Sequence, residues 1–205
     1  MNRRIIRGVR IATPEGMRAA SVHVADGLIV AIAGYDDIPR TTIPEELGKG
    51  VLMPGLVQFA SEENTEDGAK AAAAGGITTL VLAGELPVPT SLLNLVRVPN
   101  SDEEPVSDLP TLLCRTWTAM RNRGESVESI VETLCSAPAR AAGVASRTGS
   151  LEVGMDADFV VWHPEYTVVG ATELLYGQVR HTIVRGRTVY KDGWFEEPCA
   201  LVQTT

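Results

Sequence analysis

The sequence predicts an α/β middle set between two β-rich ends. Three observations predict it. Apolar residues alternate between tight-turn dipeptides over residues 1–50, a strand–helix–strand pattern occupies residues 51–84, and short β-branched runs return after residue 150. The two ends, 1–50 and 150–205, are expected to join as one small β domain around an α/β part, 51–149. With 205 residues and 44% hydrophobic content the chain can bury a core, which excludes wholesale disorder.

The elements follow in order. Ile5, Ile6, Val9 and Ile11 alternate with Arg3, Arg4, Arg7 and Arg10, which reads as an edge strand ending at the turn Pro14-Glu15-Gly16. Ala20 to Val24 and Leu28 to Ile32 form a hairpin about Asp26-Gly27. Tyr35 to Lys49, polar and with two prolines, reads as a loop. Val51 to Val57 is an apolar run broken by Pro54-Gly55. Gly68 to Gly76 is a helix of small residues with a Gly-Gly stop, and Ile77 to Leu82 is a strand buried on both faces, so a parallel βαβ unit is expected. Residues 85–110 read as irregular. Leu109 to Asn122 and Glu125 to Leu134 read as helices, and Pro138 to Gly143 as a helical turn. Ala157 to Trp162, Tyr166 to Val169, Thr182 to Arg187 and Thr188 to Tyr190 read as strands, with turns at Gly186 and at Asp192-Gly193 before Trp194-Phe195.

Composition excludes several functions. A net charge of −8 with no basic cluster beyond the strand-like arginines removes the driving force for nucleic-acid binding. No apolar run reaches about 18 residues, so no membrane partner is expected. Cys114, Cys135 and Cys199 show no paired spacing, and the basic start Met1-Asn2-Arg3-Arg4 has no apolar segment behind it; both suit a cytoplasmic protein. Gly75-Gly76 precedes a strand rather than a helix, so it is not a phosphate loop. Trp117, Trp162 and Trp194 read as packing anchors.

Several segments resemble the cyclic amidohydrolases, the family of allantoinase, hydantoinase or dihydropyrimidinase, and dihydroorotase. The resemblance is carried by Val51-Leu-Met-Pro-Gly-Leu-Val57, Ala71-Ala-Ala-Ala-Gly-Gly-Ile-Thr-Thr79, Ser136-Ala-Pro-Ala-Arg-Ala-Ala-Gly143, the run Gly149 to Trp162 and the run Thr182 to Phe195. It implies the remnant of a (β/α) barrel with a small β-sandwich built from both chain ends. It also implies two divalent metals bridged by hydroxide, held by a His-x-His pair after the first barrel strand, a carbamylated Lys, two further His and an Asp. The departures are large. Ala60 and Glu62 stand where the His pair belongs, the middle strands and the segments with the Lys and later His are missing, and Asp102 has Glu103 where the family has His. One ligand at most survives, so no cofactor is expected.

The candidate site rests on carboxylates. Glu62 and Glu63, with Glu66 and Asp67, follow the first barrel-like strand; Asp102 and Glu103, with Glu104, belong to a neighbouring strand end. Converging carboxylates raise one another's pKa and can form a general acid/base pair. The plain alternative is a solvated acidic loop, and an oxygen-lined Mg²⁺ or Ca²⁺ site is a third. His23, His163 and His181 fall in the sandwich segments, outside any catalytic spacing, and Ser61, Ser101 and Ser107 lack a His partner. The expected function is an amidohydrolase-derived protein without the dinuclear centre, retained for binding or assembly. The alternatives are a metal-independent enzyme acting by proton transfer, cyclisation or isomerisation on a small cyclic amide-like ligand, and a partner subunit of an active amidohydrolase. Missing barrel strands leave open edges and an apolar floor, so a homo-oligomer joined through the remnant is expected.

Overall fold

The computed structural model describes residues 3–60, 66–82, 92–98, 108–169 and 173–196. The alternating N-terminal segment builds β1 (Arg3–Thr13), β2 (Gly16–Ala25) and β3 (Leu28–Ala33), an antiparallel meander. Asp26 and Gly27 both take positive φ, 51° and 84°, as a two-residue hairpin turn requires. The segment expected as a loop contains a short strand, β4 (Glu45–Glu46), parallel to β1.

One expectation reverses here. β1 is an interior strand, flanked by β2 and by β5 (Val51–Pro54), not an edge. Ile6 and Ile11, five residues apart, are both fully buried because a bulge between Gly8 and Ile11 resets the face. The arginines survive in the interior of the sheet because carboxylates meet them. Arg4 reaches Glu45 at 2.5 Å, Arg7 pairs with Glu46, and Arg10 reaches Glu165 at 2.7 Å.

The apolar run after Gly50 divides at Gly55. Val51 to Pro54 form β5 in the large sheet, whereas β6 (Leu56–Ala60) starts a second one. A side chain at Gly55 would lie 2.1 Å from Thr78 Oγ1, so the crossing from one sheet to the other needs glycine. The expected βαβ unit is present as β6, α1 (Glu66–Ala74) and β7 (Ile77–Leu82), with β6 and β7 parallel. Gly76, at φ +88°, ends the helix. A third parallel strand, β8 (Asn94–Arg97), pairs with β7 inside the stretch expected to be irregular. Among the described residues this sheet has three strands and does not close.

Helices cover it. α2 (Leu112–Asn122) is followed by α3 (Val127–Val131), a π-helical turn (Glu132–Ser136) and α4 (Ala137–Ala141). The wide turn has a cause in the sequence. Pro138 has no N–H for the Leu134 carbonyl, and the Gln58 amide of β6 lies 3.5 Å from that oxygen.

The C-terminal strands are longer than expected. β9 (Phe159–Val169) runs unbroken through Pro164, and β10 (Leu174–Val184) begins well before Thr182. The pairing shifts between Tyr176 and Gln178, opposite the proline that cannot donate. His163 and His181 therefore lie inside strands, not at their ends. β11 (Arg187–Lys191) and β12 (Trp194–Phe195) follow through turns at Arg185-Gly186 and Asp192-Gly193, all four residues with positive φ.

Strands from both chain ends share one sheet, in the order β12-β11-β10-β9-β5-β1-β2-β3. The sheet curls until the β2–β3 and β10–β11 turns meet. Ala157 joins them, donating to Gly27 O and accepting from Gly186 N, both at 2.8 Å. Period-two alternation then divides the apolar residues between two cores. Leu52, Phe159 and Val161 point into the curl with Ile6, Ile11, Val22 and Ile29; Val51, Met53, Val160 and Trp162 point to the parallel sheet and helices, beside Leu56, Ile77 and Leu113.

Candidate functional site

Parallel strands end together, so Ala60, Leu82 and Arg97 mark one end of the small sheet. β6 and β8 flank β7 there, about 10 Å apart at ordinary strand spacing. In sequence, Glu62 follows the end of β6 and Asp102 follows the end of β8. Glu62, Glu63, Asp102 and Glu103 themselves lie outside the described residues, as do Glu104, Ser61, Ser101 and Ser107. Asp67, in the first turn of α1, is exposed.

Ala60, the last residue of β6, is buried and offers a methyl group, not a ligand atom. The three histidines belong to the curled sheet. His23 Nε2 lies 3.1 Å from Ser21 Oγ on β2. His163 stacks on Tyr166 with ring centres 4.4 Å apart, and its burial, then the nearby Arg180, lower its pKa. His181 Nδ1 lies 3.3 Å from Glu45 and its Nε2 3.8 Å from Asp192. Among the described residues no three His, Cys, Asp or Glu side chains gather closely enough to hold a metal ion. The described donors thus do not fit a dinuclear centre.

The described cysteines act as small apolar groups. Cys114 Sγ donates to Gly177 O at 2.6 Å, and burial pushes its thiol up to about 11. Cys135 is wholly buried against Pro54 O, and burial raises its thiol further. Cys199 lies outside the described residues. Trp117 and Trp162 meet edge to face at 5.7 Å, and Trp117 Nε1 donates to Pro164 O at 2.9 Å, which fastens α2 to β9. Trp194 is instead exposed on the terminal strand β12.

Two features escaped the sequence reading. A cleft of about 240 Å³ lies between the β1–β2 turn and the π-helical turn, lined by Thr13, Pro14, Pro54, Glu128, Glu132 and Ser136 among others. Its Glu132 is already paired with Arg140. The second is Asp158, buried at 2% exposure at the start of β9. Its Oδ2 accepts from Asn94 Nδ2 at 2.7 Å and its Oδ1 from Arg185 N at 2.8 Å. The available signal was a second acid, two residues after Asp156, set between the apolar Ala157 and Phe159.

This architecture is shared with known enzymes. The L-hydantoinase (dihydropyrimidinase) of Arthrobacter aurescens superimposes with a TM-score of 0.73 at 14% identity, its alignment extending over 94% of this chain and 97% of that one. The dihydropyrimidinase of Brevibacillus agri gives 0.70 at 11% identity, over 95% and 96%. These define the class, an amidohydrolase fold. Residues 109–190 match the amidohydrolase family model. The allantoinase of Streptomyces avermitilis is 41% identical over 103 residues, covering 44% of this chain and 23% of that protein. The allantoinase of Arabidopsis thaliana is 38% identical over 89 residues, 37% of this chain and 18% of that protein. Parts of the chain are thus similar to the amidohydrolase family model and to allantoinases. Its matched part spans less than a quarter of the length of either allantoinase.

Proposed function

We propose that this chain is an amidohydrolase derivative that lacks the dinuclear metal centre and serves in binding or assembly rather than ring hydrolysis. The observation that supports this most is the end of β6. Ala60 stands where the family resemblance puts a metal-binding His, and it is packed into the core with no donor atom. Hydrolysis of an unactivated amide needs a nucleophile available at neutral pH, which paired metals supply by lowering the pKa of bound water. The test is metal analysis of the purified protein, together with assays of allantoin and hydantoin opening in the presence of added zinc. No stoichiometric metal and no ring opening are expected; stoichiometric zinc with turnover overturns the reading.

A second reading is favoured by the topology of the small sheet. β6 and β8 finish at the same end of the sheet, and in sequence Glu62 and Glu63 follow the one while Asp102 and Glu103 follow the other. A metal-independent acid/base enzyme acting on a small cyclic amide would use those carboxylates. Glu62→Gln and Asp102→Asn each abolish turnover on this reading, and unchanged turnover removes them from the mechanism. Assembly belongs to the same proposal. A homo-oligomer joined through the parallel sheet and its helices predicts a dimer mass by light scattering, and a monomer counts against it.

A further inference from the structure

We propose that Asp158 is a proton-operated latch joining the curled sheet to the start of β8. The argument begins with its position. Its side chain holds Asn94, the first residue of β8, and the Arg185 N–H in the β10–β11 turn. Its main-chain oxygen accepts from Gly55 N at 2.9 Å, at the point where the chain passes from one sheet to the other. One residue thus ties three elements.

Burial decides the sign, and the groups around the carboxyl adjust it. Burial disfavours the carboxylate and, with the like charge of Asp156, raises the Asp158 pKa to about 6; the Arg185 N–H and guanidinium and the Asn94 amide pull the other way. Asp156 is itself held by Arg147 at 2.7 Å. A carboxyl that binds its proton more tightly when buried than when hydrated favours the closed joint at low pH. The joint is tightest below the ordinary value of 3.8, weakens as pH rises toward about 6, and stays weak above it. If opening hydrates the carboxyl fully, the open fraction rises up to about 100-fold across that span. Neutral pH therefore sits on the loose side; on proton uptake Oδ1 still accepts from Arg185 N, and the new Oδ2 hydroxyl donates to the Asn94 amide oxygen once that amide turns over.

Hydrogen exchange on the full chain tests this. Rates of the β8 amides, corrected for intrinsic chemistry, give the opening ratio at pH 5 and pH 7.5. That ratio is expected to be about tenfold larger at pH 7.5, with β1 and β2 unchanged. Asp158→Asn removes the dependence, since an amide oxygen still accepts from Arg185 N while Asn94 rotates to present its own. Asp156→Asn lowers the midpoint by removing the neighbouring charge. A flat wild-type profile, or an unchanged slope in Asp158→Asn, overturns the latch. Should Asp158→Asn fail to fold, Asp156→Asn decides: a lowered midpoint supports the latch and an unmoved one overturns it.

Discussion

Glu45→Gln is the substitution that tests most directly how the curled sheet is held shut. Glu45 on β4 stands between Arg4 of β1 and His181 of β10, and so ties two strands that β9 and β5 separate in the sheet. His181, and after it Arg4, hold its carboxyl down at about 2 against the opposing effect of its own burial. The gap from the ordinary 4.5 corresponds to about 3 kcal/mol at most. Glu45 retains 27% side-chain exposure, and solvent screening reduces the figure to about 1–2 kcal/mol. A depressed carboxyl stabilises fully above its unfolded value, and that stabilisation is lost as pH falls from 4.5 toward about 2. Glutamine keeps the shape but not the charge. Arg4 retains Gly186 O at 3.3 Å and Thr188 Oγ1 at 3.1 Å, so the strands stay in register. Urea unfolding at pH 7, 4.5 and 2.5 is the assay. Wild type is expected to exceed Glu45→Gln by about 1–2 kcal/mol at pH 7, with the difference shrinking at pH 2.5. Equal stability at pH 7, or a difference that persists undiminished at pH 2.5, refutes the reasoning.

Two further substitutions probe the packing that fastens the helices and the parallel sheet. Trp117→Ala removes the edge-to-face contact with Trp162 and the bond to Pro164 O, and should cost about 3–5 kcal/mol in chemical denaturation, with Trp117→Phe recovering part of it. Gly76→Ala puts a methyl group 2.8 Å from Val160 Cγ2 at φ +88°, and is expected to lower the thermal midpoint by several degrees, a cost of about 1–3 kcal/mol.

Much of this fold was legible because the two periodicities are strong. The tight-turn pairs Asp26-Gly27 and Asp192-Gly193 marked their hairpins, and the small-residue run before Gly75-Gly76 marked α1. The misses have physical causes. Arg4, Arg7 and Arg10 looked like edge residues because their carboxylate partners, Glu45, Glu46 and Glu165, lie about 40 or about 155 positions away in sequence. β8 was hidden because Asn94 to Arg97 is four residues long, too short for a period to show. β9 was cut in two at Pro164 because a proline inside a strand reads as its end; here Pro164 sits in a bulge of β9 itself, where three residues, 164–166, stand against Gly177 alone of β10. Of the candidate carboxylates, Glu62, Glu63, Asp102 and Glu103 are placed by the chain only as sequence neighbours of the ends of β6 and β8. Asp158 was not legible, because a buried acid is recognised by the donors that fold onto it, and Asn94 and the Arg185 N–H come from distant elements.

A three-stranded parallel sheet is a weak object by itself, since parallel pairs need burial on both faces. Yet Leu56, Val57, Leu80 and Val81 are almost wholly buried. One face owes this to Ala69, Ala72 and Ala73 of α1, whose small side chains let the helix approach closely; the other packs Val57, Phe59 and Val81 with Ala139 of α4. Thr182 of β10 bonds Ala73 O at 2.6 Å, Cys135 sits on Pro54, and Asp158 holds Asn94. The small sheet therefore borrows its order from the curled one. With Ala60 fixed in that packing, no donor comes from the end of β6 itself. On the acid/base reading, the carboxylates that follow β6 and β8 in sequence would bring the chemistry, which is why Glu62→Gln and Asp102→Asn separate a binding protein from an enzyme more sharply than any substitution in the core.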